Sequence, residues 1–220
     1  MRKALILLSI PLPWSLRRRL LERLLGYDLH PTARIGVAWI APRQLVLQAG
    51  ASISHFSICR NLDRLELGAA ATIGSFNWIT GGASPDTGHF AEEERDRALI
   101  LGDHAALTSR HIVDCTNLVR IGRFSTVAGY RSLVMSHSID LELSRQVSAG
   151  VRIGEYCFVG ARCTLLAGSQ LPDYSVLAAG SVLVHAYDET HRLYAGVPAR
   201  PRTKLSAELL YFTRRQGSVL

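Results

Sequence analysis

The sequence predicts a solenoid, a stack of short repeating units, and three observations carry that reading. From Ile153 an aliphatic residue recurs at every sixth position, through Val159, Leu165, Leu171, Leu177 and Leu183. Four residues after each of the first five stands a small side chain: Cys157, Cys163, Ser169, Ser175 and Ser181. The same register runs upstream in triplets: Leu47, Ile53, Cys59; Leu67, Ile73, Ile79; Leu101, Leu107, Val113; Ile121, Val127, Leu133. A period of six is neither the 3.6 of a helix nor the plain alternation of a strand.

This pattern resembles the hexapeptide repeat of left-handed parallel β-helices. The resemblance implies an all-β triangular prism in which three hexads close one coil, the aliphatic residue points inward and the small one sits near a corner. Such a fold runs against the strong right-handed preference of parallel crossovers, so only the repeat justifies it. Coils are expected to begin at positions 47, 67, 101, 121, 153 and 171. The separations of 34 and 32 residues within that series exceed the others, which predicts two extruded loops, about 82–98 and about 138–150. Both leave after the third hexad of a coil, so they emerge from one edge of the prism, two coils or ~10 Å apart.

A stack of coils needs covered ends. At the start, "WSLRRRLLERLL" sets Leu16, Leu20, Leu21, Leu24 and Leu25 at helical spacing among arginines. It reads as a helix capping the core or as a basic amphipathic helix in peripheral contact with an anionic membrane. The preceding "MRKALILLSIPLPW" imitates a signal peptide, but its apolar run is cut by a proline pair and no small-residue cleavage site follows. At the other end "SAELLYFTRR" predicts a closing helix with Ser206 as N-cap. The expected organisation is a helical cap over 1–30, the prism over 31–200, and a tail with a helix over 201–220.

The chain has 220 residues and a formal charge of +7, from 25 basic residues, almost all Arg, against 18 acidic ones. That balance favours an anionic partner. No recognition-helix motif or RNP-like aromatic run is present, so nucleic acid is not expected. The four cysteines show no CxxC or Cys/His metal spacing and read as reduced. A cytoplasmic protein, held at the inner face of the membrane if the N-terminal helix docks there, is the expectation.

Some residues break the small-residue rule: Asn77, His111, Asn117, Arg131 and His137. A bulky polar group at a tight corner is expected to point to solvent or to a neighbouring subunit. His137 also stands at the mouth of the second extruded loop, and long loops in compact repeats are usually functional.

Here a closer resemblance enters. "LVMSHSID", then an insertion, then "VRIGEYCFVGARCTLLAGSQLPDYSVLAAGSVL" and "LYAGVPARP" is similar to the hexapeptide-repeat acyltransferases, in particular the galactoside, maltose and capsule-type sugar O-acetyltransferases. The similarity is close over 119–204 and generic over 45–118. It implies an acetyl-CoA-dependent homotrimer with active sites in the clefts between prisms. By resemblance His137 is the general base that takes a proton from an attacking hydroxyl, work suited to an imidazole. Asp140 and Asp114 are both candidates to hold its other nitrogen, and His111 is a candidate contributor from another face. Ala161 and Ala179 match positions that meet the pantetheine arm, with Gly180 beside Ala179 permitting close approach, while Arg200 matches an arginine near the nucleotide phosphates and Lys204 sits close to a second basic position. No metal is implied: the spacings of His104, His111 and His137 do not match the close histidine pair of the γ-type carbonic anhydrases, which stack similar coils.

The acceptor-binding asparagine of the galactoside and maltose enzymes has no counterpart around Leu107 to Ser109, so their substrates do not carry over. The expected activity is O-acetylation of a sugar hydroxyl in surface polysaccharide or glycolipid assembly. Two alternatives stay open: N-acylation of an amino sugar or nucleotide sugar, and a noncatalytic β-helix scaffold.

Overall fold

Each turn of the chain lays one short strand on each of three faces, because the inward aliphatic of every hexad must be buried and the corner after it must bend. The computed structural model describes residues 2–82, 90 and 94–217. Face A runs from Asp28–Leu29 to Gln170–Leu171, face B from Arg34–Ile35 to Val176–Leu177, and face C from Trp39–Ala41 to Val182–Leu183. Seven coils result, paired in parallel from coil to coil, and the prism is a left-handed parallel β-helix. Leu47, Leu67, Leu101, Ile121, Ile153 and Leu171 stack in register on face A. Ile53, Ile73, Leu107, Val127, Val159 and Leu177 do so on face B. All of these are at most 2% exposed, and each buried aliphatic contributes about 1.5–3 kcal/mol.

Face C departs from the expected register at one place. Val134, not Leu133, stacks on Val113 and Leu165. The corner before it holds one residue more than a hexad allows, so Ser132 takes the small buried position and Arg131 is thrown outward. The structure also adds a coil ahead of the first expected one, formed by Leu29, Ile35 and Ile40, whose last step is five residues instead of six.

Of the two expected loops, residues 83–89 and 91–93 of the first lie outside the described residues. The second is a β-hairpin in which His137–Asp140 pairs antiparallel with Arg145–Ser148.

Helices α1 (Arg2–Ser9) and α2 (Trp14–Leu25) close the start of the prism. The signal-like run thus forms α1, with Ile6 buried in the core. None of the described helices is long and apolar enough to cross a membrane. Arg17, expected on a basic outer face, is instead 2% exposed. Its guanidinium donates to the carbonyls of Gly36 and Ala38 at 2.7 and 2.9 Å, groups that have no preceding coil to pair with. At the far end the antiparallel strands Arg192–Gly196 and Ala199–Lys204 extend face B. The closing helix, α3, is a single turn, Leu210–Thr213. It does not start at Ser206, whose hydroxyl accepts the Glu208 N–H at 3.2 Å and closes a turn of its own.

Candidate active site

The edge where face C turns into face A gathers the polar groups that the repeat cannot use inside. Asp114 ends the face C strand of the fourth coil and is 7% exposed. One carboxylate oxygen accepts the Thr116 hydroxyl at 2.7 Å. The other accepts the Ser136 N–H at 2.9 Å and the His137 Nδ1–H at 2.8 Å. Burial pushes the Asp114 carboxyl up, and the hydrogen bonds from His137, Thr116 and Ser136 outweigh it, so the group lies below its ordinary value and stays ionised.

An ionised carboxylate only accepts, so Nδ1 of His137 carries its proton and the lone pair of the neutral ring sits on Nε2. Among the described residues Nε2 has no hydrogen-bond partner, and the side chain is 35% exposed. The imidazole is therefore a fixed tautomer with its basic nitrogen free, held at the root of the hairpin. Phe90, from the first loop, stands edge-on to it with ring centroids 6.5 Å apart, and the Arg95 guanidinium covers Phe90 at 4.1 Å. The two excursions do meet at one edge. Asn117 joins the hairpin to the prism: its N–H reaches the Ser136 hydroxyl at 2.9 Å and its amide the Ser148 hydroxyl at 3.2 Å.

The other candidates fall elsewhere. Asp140 accepts the N–H groups of Glu142 and Leu143, each at 3.0 Å, and so shapes the hairpin turn. His111, expected to point outward, points inward and is 1% exposed. Its Nδ1 accepts the Ser132 N–H at 3.2 Å, so Nε2 is protonated and donates to the Thr108 hydroxyl at 2.9 Å. Asn77, in the same slot one coil earlier, accepts the His111 N–H at 2.9 Å. Burial drives the His111 pKa down to about 4, so the ring is neutral.

Ala161, Ala179 and Gly180 lie on the edge between faces B and C, coil above coil. Gly160 keeps that spacing tight: a Cβ there would meet the Ala179 nitrogen at 2.6 Å. Arg200 and Lys204 lie on the terminal hairpin. Arg200 donates to the Tyr187 hydroxyl at 3.3 Å, and Lys204 lines an open cavity of about 780 Å³ with Asp188, Glu189 and His191. That cavity lies beyond the last full coil, away from His137.

His137 and the positions expected to meet a coenzyme thus occupy two different edges of the prism, on either side of face C. The outside of face C is apolar over its first five coils, where that of face A is mostly polar. Trp39, Ile58, Trp78, Ile112 and Leu133 stand one above another on it, with Trp78 46% and Ile112 52% exposed. The matching outward column of face A reads Glu66, Ile100, Arg120, Arg152 and Gln170. Ser136 had no signal in the sequence, since it meets Asp114 only once adjacent coils stack, whereas Thr116 bonds Asp114 within one corner, two residues along the chain.

No protein-family model and no curated protein sequence matches the chain. Among solved structures it is similar to the polySia-specific acetyltransferase NeuO, with a TM-score of 0.51, 14% identity, and 81% of this chain and 80% of that chain covered. It is also similar to a single-residue variant of AntD, an N-acyltransferase from Bacillus cereus, in complex with dTDP and coenzyme A. There the TM-score is 0.52 and the identity 13%, over 89% of this chain and 92% of that one. At these identities the likeness is one of fold.

Proposed function

We propose that the chain is an acetyl-CoA-dependent O-acetyltransferase acting on a sugar hydroxyl, in surface polysaccharide or glycolipid assembly, with His137 as general base. The Asp114–His137 pair carries this reading: it fixes the tautomer that leaves Nε2 able to accept a proton. The hydroxyl oxygen attacks the thioester carbonyl while Nε2 takes its proton. Collapse of the tetrahedral intermediate expels the thiolate, which recovers the proton from the imidazolium, giving the acetyl ester and free coenzyme A. Asp114 holds the ring and stabilises its cationic form, as a buried carboxylate does behind other catalytic histidines.

The coenzyme arm would lie along Ala161, Ala179 and Gly180, with Arg200 and Lys204 toward its phosphates. Since those positions and His137 are on separate edges, a complete site needs two copies. The apolar outside of face C is the surface that would bring them together, in a closed ring of three. Burying it would place the His137 edge of one copy against the Ala161 edge of the next. Contact with an anionic membrane would use Leu16 and Leu24, 52% and 60% exposed, beside Arg19 and Arg23 on α2.

The test is thiol release from acetyl-CoA across sugars, amino sugars, nucleotide sugars and glycolipids, with product analysis and mass determination of the assembly. An ester product lost in His137→Ala supports the reading. An amide product assigns N-acylation instead, and no acceptor-dependent release with any acyl-CoA overturns acyl transfer.

A further inference from the structure

Two edges of the prism are built alike and finished differently. Where face A turns into face B, the corner residues His104, Phe124, Tyr156, Tyr174 and His191 all have positive φ. Their rings stack in sequence with centroids 4.7, 4.7, 5.3 and 4.9 Å apart. The chain covers this ladder with its own tail. Phe212 stands edge-on to Tyr174 and His191 at 5.9 and 5.6 Å, and the Arg214 guanidinium lies 5.6 Å from the Tyr156 ring.

Where face B turns into face C, the corresponding residues are Phe56, Phe76, Arg110, Arg131 and Arg162, again with positive φ. No described segment covers them. Phe56 and Phe76 are 57% and 52% exposed, with rings 5.1 Å apart. The extra residue in the fifth coil pushes Tyr130 outward to 58% exposure. Between these rings lies Arg110, its guanidinium 5.6 Å from Phe76 and 5.9 Å from Tyr130. Among the described residues no carboxylate pairs with Arg110, Arg131 or Arg162.

Exposed ring faces offer platforms for the apolar faces of sugar rings. Guanidinium groups offer bidentate recognition of carboxylate or phosphate. Arg110 is held between two rings, so little conformational freedom remains to be lost on binding. The strip is one corner wide and several coils long, which suits a linear chain better than a flat surface. Its level also matters. The aromatic and arginine strip spans the coils from Phe56 to Arg131, and the Ala161 to Gly180 positions continue the same edge beyond it. The junction falls between the fifth and sixth coils, where the His137 hairpin leaves the opposite edge.

We infer that this edge is the acceptor track for an acidic saccharide, bearing carboxylate or phosphate groups. Phe76 and Tyr130 are its ring platforms, Arg110 and Arg131 its anion contacts, and a hydroxyl is presented to His137 of the adjoining copy. This rests on the proposed two-copy site.

Isothermal titration with maltohexaose, hexagalacturonate and a phosphorylated maltohexaose tests it, with coenzyme A titrated into the same preparation. An acidic hexasaccharide should bind at least tenfold tighter than the neutral one, and the tighter of the two identifies the charged group. Arg110→Gln should remove that preference while the assembly mass and coenzyme A binding stay unchanged. Equal affinity for all three sugars overturns the track, as does an Arg110→Gln protein that keeps the preference. Dissociation of the assembly in Arg110→Gln also overturns it, by making the strip a contact between copies. Absence of coenzyme A binding in the unaltered protein defeats acyl transfer instead, and a retained acidic preference then leaves the saccharide site standing.

Discussion

His111 and His137 sit at successive kinds of corner in the same stack, and their surroundings give them opposite properties. His111 is turned into the prism, where its two ring nitrogens are spent on Ser132 and Thr108 and burial keeps it neutral. His137 is turned out at the root of a hairpin, where one nitrogen is spent on a carboxylate and the other has no partner among the described residues. The difference lies in the partner: a backbone N–H and a hydroxyl satisfy a structural imidazole, whereas an ionised carboxylate sets up a base. A histidine in a repeat is therefore read by what its first nitrogen touches.

The comparison is broken or sharpened by changes at four positions. His137→Ala should lower acetyl transfer by about 10³–10⁴-fold, the upper range for loss of a general base, with the thermal midpoint little changed. A large fall in stability with residual activity would erase the contrast. Asp114→Asn should cost about 10²-fold or more in turnover, because an amide can donate to Nδ1 and release the tautomer. Steady-state kinetics should show the loss in kcat more than in KM.

His111→Ala should cost on the order of 3 kcal/mol of folding stability, since it leaves the Ser132 N–H and Thr108 hydroxyl without their buried partner. His111→Asn, the residue already used in that slot one coil earlier, should recover part of it. This histidine also sets a pH dependence. Its folded pKa of about 4 lies below its unfolded value, so the unfolded chain binds the extra proton. Stability is full above pH ~6.5 and falls as pH drops toward ~4, by on the order of 3 kcal/mol. Asp114 adds a further loss at lower pH, as its depressed carboxyl is protonated. Urea unfolding at pH 7 and pH 5 should show the slope in the unaltered protein and not in His111→Asn. The smallest effect belongs to Asp140→Asn: within about 0.5 kcal/mol in stability and no change in turnover, because Asn forms the same turn.

Much of the prism was legible because its rule is local. An inward aliphatic every six residues is visible without knowing what it stacks upon. The rule failed where the corner length changed. The step from Ile35 to Ile40 is short by one, which hid the first coil. The step from Val127 to Val134 is long by one, and two adjacent aliphatics, Leu133 and Val134, let the wrong one keep the count. The site was less legible. His137 announced itself by interrupting the repeat, yet the choice between Asp114 and Asp140 depended on which lies across the coil, since Asp140 is nearer in sequence and turns to its own hairpin. The inward orientation of His111 was hidden because its partners are supplied by Asn77 and Ser132 on neighbouring coils, and a polar side chain with hidden partners looks as if it needs water.

Arg17 has a consequence that reaches past this one molecule. A stack whose coils meet only by parallel pairing has no internal measure of its length, and its first coil offers bare carbonyls to any strand that arrives. The buried guanidinium of Arg17 occupies the Gly36 and Ala38 carbonyls with a group that can donate but cannot propagate a ladder. It acts as a chain terminator in the polymer chemist's sense, holding the solenoid to a finite unit and keeping end-to-end growth into fibres from starting at that edge.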